Sequence, residues 1–257
     1  MPAKAGSKPL NPKMKKPSKS LHILPQERPL TTVDVVIFTI KDEQLQVLLV
    51  KRANSAAEPF PDTWALPGGF IDVKQDATLQ DCALRKLREK TNVQAPYLEQ
   101  VGSWGGANRD PRGWTATHVY FALLPWQGVK AAAHTNVADT QWFPVEKCKR
   151  MKLAFDHSEL FKVTLQRLRD KVEYTSLPAF LLPEPFTLPQ LQQMYEIVLG
   201  RPVDKSGFRT RMLAAQFLNE VGLVESTSRR APMGYTLINR DSPAYFPRTF
   251  SPRNHKN

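Results

Sequence analysis

The chain has 257 residues, room for one large domain or two small ones with tails, and its 41% hydrophobic content suffices for real cores. No apolar run is long enough to span a bilayer and no apolar leader opens the chain, so a cytoplasmic, membrane-free protein is the expectation. Cys82 and Cys148 supply neither a disulfide framework nor metal-ligand spacing, and a net charge of +12 points towards an anionic partner.

Half of that charge lies in residues 1–28, where Lys4, Lys8, Lys13, Lys15, Lys16 and Lys19 sit among Pro, Ser and Gly. This composition predicts a disordered basic arm, either a solubilising tail or a contact to nucleic-acid phosphates. Globular sequence begins near Leu30. Val33 to Phe38 and Leu45 to Val50 read as strands joined by a polar turn with Lys41, Asp42 and Glu43, a hairpin. Lys51-Arg52 and a loop to Pro61 precede Trp64-Ala65-Leu66-Pro67-Gly68-Gly69-Phe70, whose glycine pair marks a tight turn. Leu79, Cys82, Ala83 and Leu87 then recur at helical spacing. Tyr97 to Trp104, Thr115 to Leu124 and Gln141 to Val145 read as further strands, mainly antiparallel. A helix opens at Asp156 with Phe161, Leu165, Leu168 and Val172 on one stripe.

Residues 173–185 contain three prolines, Pro178, Pro183 and Pro185, and interrupt the pattern, which places a domain boundary there. Beyond it, Thr187 caps a helix with Leu188, Leu191, Met194, Tyr195 and Val198 inward, closing at Gly200. Asp204 caps a second helix read as Lys205 to Leu218, and strands at Val221 to Glu225 and Tyr235 to Asn239 flank a basic hairpin. Helix, short turn, helix, hairpin is the order of a winged helix-turn-helix. On the second helix Lys205, Arg209 and Gln216 fall on one side, and Arg and Gln suit guanine and adenine edges in the major groove. Phe208 and Met212 pack beneath the first helix; Arg211 is a phosphate candidate, and Arg229 and Arg230 at the hairpin tip are candidates for backbone or minor groove. The competing reading is a small helical domain with a solvated basic face. The expected units are 1–28, a mixed domain at 29–175, a winged helix at 176–241 and a tail at 242–257.

The segment 67–93 resembles a Nudix box, in which Gly, five residues, Glu and seven residues precede Arg-Glu-Leu-x-Glu-Glu-x-Gly and an aliphatic residue. Gly69, Arg85, Leu87 and Val93 keep the skeleton. Anchored on Arg85, the carboxylate positions hold Lys86, Glu89 and Lys90. The first glutamate's place is Gln75 counted from Gly69 and Ala77 counted from Arg85, because the loop is two residues longer than the pattern. Three carboxylates at such spacing share a helix face and cradle Mg2+; two lysines there repel it. An ordinary amphipathic helix is the bland alternative.

A degenerate Nudix domain followed by a winged helix resembles the Nudix-related transcriptional regulators of NAD metabolism, over about residues 30–240. The residues that carry this are Val33-Asp34-Val35-Val36-Ile37-Phe38, the run at 64–70, Cys82-Ala83-Leu84-Arg85 with Glu89-Lys90-Thr91, Asp110-Pro111-Arg112-Gly113, Phe155-Asp156-His157, Phe186-Thr187-Leu188, Leu199-Gly200-Arg201-Pro202 and Asp204-Lys205. The resemblance implies an α+β protein: a Nudix-like mixed α/β/α sandwich, then a winged helix. It implies a homodimeric repressor of NAD biosynthesis or salvage genes that binds a palindromic double-stranded DNA operator and answers to ADP-ribose or a related nucleotide effector. No catalytic set, metal ligands or cofactor is expected. Lys51, Arg52, Lys86, Lys90 and Arg112 are the phosphate candidates, Trp64 and Phe70 candidates for stacking on adenine, and His157 a further contact. The alternatives are an active ADP-ribose pyrophosphatase and a regulator of sugar catabolism on the same scaffold.

Overall fold

The computed structural model describes residues 28–92, 97–126, 137–225 and 231–246. The basic arm up to residue 27, Val93 of the box, and Arg229 and Arg230 lie outside the described residues.

Nine strands and five α-helices are described: β1 Leu30–Lys41, β2 Gln44–Arg52, β3 Trp64–Ala65, β4 Gly68–Phe70, α1 Leu79–Thr91, β5 Tyr97–Gly106, β6 Thr115–Leu123, β7 Val137–Pro144, α2 Val145–Cys148, α3 His157–Val172, α4 Leu188–Leu199, α5 Lys205–Ala214, β8 Leu218–Leu223 and β9 Met233–Leu237. The first seven strands form one sheet ordered β3-β2-β1-β6-β5, with β4 on β1 and β7 on β2. The expected antiparallel character holds for every pair but one: β1 and β6 run parallel over nine residue pairs at the centre of the sheet. Strand spacing in sequence does not reveal which strands meet, so this pairing was invisible. The hairpin turn sits at Asp42 and Glu43, both with left-handed backbone (φ 50° and 55°).

The period of two in β1 divides the core. Val33, Val35 and Ile37 face α1 through Cys82, Ala83 and Leu87, while Val36 and Phe38 face α3 through Phe161 and Leu165. That is the α/β/α sandwich. Helix α1 begins at a capping box, with the Thr78 hydroxyl accepting from the Asp81 N–H and the Asp81 carboxylate accepting from the Thr78 N–H.

The α3 side of the core does not stop at the sandwich. It runs on through Leu177 and Phe180 into Leu191, Val198, Phe208, Phe217 and Leu237. Residues 173–185, where the prolines place a domain boundary, contain a short 3-10 helix, Leu177–Leu181, that is buried throughout. Proline fixed its backbone without exposing it, and the apolar residues between took it inside. The start of the expected tail is likewise docked. Tyr245 bridges to Thr175, the Phe246 N–H donates to the Tyr174 carbonyl at 2.8 Å, and Phe246 packs on Phe217 with ring centroids 5.7 Å apart.

Candidate ligand cleft and nucleic-acid interface

Strand β1 has two partners on one edge. Its opening residues Thr32 to Asp34 pair with β4, its closing residues Phe38 to Lys41 with β2. A cleft of about 510 Å3 opens at this division, within the ~300–1,000 Å3 range of small-molecule sites. Gly68 forms its floor beside Asp34, where a Cβ would stand 2.0 Å from Asp34 Oδ1 and 2.7 Å from the Val33 carbonyl oxygen. Gly69 follows with φ +148°, a backbone that side chains resist.

The polar groups around this floor are held by one another. His157 Nδ1 accepts from the Leu66 N–H at 2.9 Å, so its proton sits on Nε2, facing Asp34 Oδ1 at 3.6 Å. Asp34 also accepts from the Thr117 hydroxyl at 2.7 Å. Burial pushes the His157 imidazolium pKa below its ordinary value, against the opposing pull of Asp34 and Asp156. Arg109 makes a two-pronged pair with Asp156 at 2.8 and 2.9 Å. Arg112 does the same with Asp110 and lies over Phe70, 5.1 Å from the ring centroid. Arg52 donates to the Pro59 carbonyl and Glu58, both at 2.8 Å, and lies 4.9 Å from the Phe155 ring.

Helix α1 supplies the remaining wall through Lys86, Glu89 and Lys90. Lys90 is 7% exposed, and burial lowers its ammonium pKa despite the neighbouring Glu89. Lys86 Nζ lies 3.5 Å from Glu89. Glu89 is further engaged by Arg85 at 2.9 Å, and Arg85 grips Asp76 through two bonds of 2.6 and 2.7 Å. These bonds and charges hold the Asp76 carboxyl far below the usual carboxylate range. Asp76 is thus the acid of the lengthened loop, one position from each place that counting selected. The Mg2+ this fold family implies does not fit these residues. Glu89 is the carboxylate left in the cradle, two cations flank it, and among the described residues no group of three or more His, Cys, Asp or Glu is placed to hold a metal ion.

The cleft gathers Arg52, Phe70, Lys86, Lys90, Arg112 and His157 from the expected effector set. It excludes Lys51 and Trp64. They are paired across β2 and β3 and so share a sheet face opposite to that of Val50, Ala65 and Arg52. Trp64 packs edge-on against Phe143 with centroids 4.9 Å apart, and Lys51 pairs with Asp62 at 2.7 Å. Sequence reasoning passed over Asp34, Arg109 and Phe155. A lone aspartate inside a β-branched strand, and an arginine next to the quoted Asp110-Pro111-Arg112, were the available signals.

The second site lies on the winged helix. The capping box of Thr187 and Gln190 opens α4, and Gly200 closes it with φ 71°. Asp204 opens α5 by accepting from the Gly207 N–H at 2.6 Å. Only Phe208 and Met212 of α5 are buried, Phe208 standing edge-on to Tyr195 at 5.1 Å. Lys205 and Arg209, one turn apart, are exposed on its outer face. Gln216 is not on that face. The helix ends at Ala214, and Gln216 adopts left-handed backbone (φ 51°) where the chain reverses so that Phe217 can enter the core. Strand β8 consequently starts at Leu218, earlier than expected. Arg211, also exposed, donates to the Glu173 carbonyl at 2.8 Å and lies 5.0 Å from the Phe246 ring.

Comparison with known proteins matches both halves. Residues 30–163 match the NUDIX domain model and residues 178–237 the NrtR DNA-binding winged helix domain model. The chain is 42% identical to the ADPR responsive transcriptional repressor NtrR of Acinetobacter baylyi over 229 residues, 89% of this chain and 90% of the relative. It superimposes on Shewanella oneidensis NrtR complexed with a 27mer DNA with a TM-score of 0.76 at 42% identity, covering 84% of this chain and 97% of that one. The NUDIX domain of the same Shewanella protein complexed with ADP ribose matches at 45% identity and a TM-score of 0.51, over 56% of this chain and 90% of that one. With a Nudix sandwich and an NrtR-type winged helix joined through one core, the chain belongs to the NrtR family of transcriptional repressors.

Proposed function

We propose that this protein represses genes of NAD biosynthesis or salvage and leaves its operator when ADP-ribose, or a related NAD-derived nucleotide, fills the Nudix cleft. The carrying observation is the coexistence of two cations in the metal cradle, Lys86 and Lys90, with a capped α5 that leaves Lys205 and Arg209 exposed. The relatives that bind DNA and ADP-ribose, taken with that pair of sites, support the reading. Lys86 and Lys90 meet the diphosphate in place of a metal, with Arg52 and Arg112 beside it, and Phe70 offers a flat face for the adenine. His157, buried and neutral, orients the floor rather than transferring a proton. The cleft binds without hydrolysing. A cytoplasmic homodimer places two α5 helices in half-sites about 34 Å apart on a palindrome.

Regulation follows from differential affinity. A ligand that weakens DNA binding a hundredfold prefers the released state by about 2.7 kcal/mol. The test is fluorescence anisotropy of a duplex from the region upstream of the chain's own gene, titrated with ADP-ribose at fixed salt and without divalent metal. Tight binding reversed by the nucleotide is the expected result, and exchange of Lys86 and Lys90 for Glu abolishes the reversal while DNA binding persists. Metal-dependent turnover of ADP-ribose, or reversal that survives the double exchange, rejects this account of the cleft.

A further inference from the structure

A second concentration of positive charge lies away from both the cleft and the outer face of α5. Lys147, Lys149, Arg150 and Lys152 fall within six residues, where the chain leaves β7 through α2. Val145 and Cys148 are buried and pin this short segment to the core; Lys147 between them is exposed, and beyond them Lys149 is half-buried while Arg150 and Lys152 are exposed. Opposite them, Lys162, Gln166 and Arg169 occupy one face of α3 at spacings of four and three. A shallow groove of about 240 Å3 runs between the two, lined by Lys149, Lys162, Leu165, Gln166 and Arg169.

Two features separate this ridge from an ordinary solvated face. The first is its charge balance. Glu146 neutralises part of it, at 2.7 Å from Lys149 and 3.4 Å from Arg169, and Glu159 stands one turn before Lys162. A third carboxylate, Asp170, accepts from Gln166 at 2.7 Å, and six cations against three carboxylates still repel one another when nothing faces them. The second is position. Arg169 Nε donates to the Val198 carbonyl at the end of α4, at 3.0 Å. From there Gly200 and Arg201 lead in one short turn to Lys205, the first residue of the recognition helix. The ridge therefore adjoins the turn that leads into α5.

We propose that this ridge, on the Nudix domain and outside the winged helix, grips the phosphate backbone of duplex DNA flanking each operator half-site. The inference rests on the repressor reading above. Lysine is a mobile point charge, and the groove presents no aromatic platform, so contact is to phosphates and indifferent to sequence. Lys162 to Arg169 spans about 10 Å along α3 at the usual helical rise. At ~3.4 Å of axis per phosphate on one strand, that reaches about three phosphates.

The test compares two duplexes with the same operator: one trimmed to the palindrome, one extended on both sides by a turn of unrelated sequence. For the unaltered protein the extended duplex binds more tightly and with a steeper salt dependence. Three added phosphate contacts per half-site, at a slope of about −0.9 each, lose about 40-fold of their advantage between 50 and 200 mM salt for each flank that is extended. Exchange of Lys149, Lys152 and Lys162 for Gln removes the advantage of the extended duplex and leaves the trimmed one bound as before. Exchange of the same three for Arg retains the advantage, which separates charge from packing. Equal affinity and equal slope for the two duplexes overturns the ridge alone. Failure of the unaltered protein to bind either duplex overturns the repressor reading, and the ridge falls with it.

Discussion

The cleft and the outer face of α5 carry charge in opposite ways. In the cleft Arg52, Arg109 and Arg112 each have a carboxylate within 2.8 Å, and Lys90 is buried behind them. On α5, Lys205 and Arg209 stand in solvent on a helix that buries only two residues. A site for a small anion must be assembled before the ligand arrives, because the cost of desolvating its cations is met during folding by the carboxylates that hold them. A site for a polyelectrolyte gains from hydrated cations that displace counterions on contact. Substitutions should therefore separate the two: those in the cleft act on stability as well as binding, those on α5 on binding alone.

The strongest expected effect is at the floor. Gly68→Ala drives a Cβ into Asp34 and the Val33 backbone, neither of which is a flexible chain end. A loss of more than ~4 kcal/mol is expected, seen as a collapsed urea midpoint. A midpoint within ~0.5 kcal/mol of the parent would mean that the cleft is not rigid and would dissolve the contrast. Arg209→Ala comes next in size. It should leave the midpoint within ~0.5 kcal/mol and weaken operator binding by about 1–3 kcal/mol, roughly 5- to 150-fold. Equilibrium unfolding and anisotropy on the same preparation check both halves, and a destabilised protein with intact DNA affinity would reverse the assignment.

What the sequence made legible follows the same division. The elements of the winged helix were readable because capping is local: Thr187 with Gln190, Gly200 and Asp204 fix their ends within a few residues of chain. The one local error, a helix carried past Ala214, arose because Gln216 satisfies helical spacing and only the burial of Phe217 forces the reversal. The cleft was readable as a composition of cations and not as a geometry. Lys51 reads as a phosphate contact by its charge and Trp64 as an adenine platform by its ring, but a strand sends neighbours to opposite faces, and this pair lies on the face away from the cleft. Asp76 was missed because a register counted from either end cannot absorb two extra loop residues. The partners of Arg211, Glu173 and Phe246, are 38 and 35 positions away, beyond the reach of local spacing.

His157 offers the finest division between the two regions. Its ring is fixed as an acceptor towards the Leu66 N–H, with Asp34, Asp156, Arg109 and Arg52 as the charged groups around it. Because burial lowers its pKa in the folded state from 6.5, the unfolded chain binds the proton more readily. Stability is then undiminished above about pH 6.5 and declines as pH falls below it towards the depressed folded value. The decline expected between about pH 7.5 and 5.5 is that of the imidazole, and removing the ring tests the assignment. His157→Gln keeps an acceptor for Leu66 and has no proton to gain, so its urea midpoint should stay level over the same range. Operator binding at pH 5.5, measured where both proteins remain folded, should be alike for the two, since α5 does not touch this ring. A parent midpoint that stays level to pH 5.5 would show that the ring admits a proton without penalty, which a buried imidazole facing Arg109 and Arg52 does not do unless the floor of the cleft opens to water.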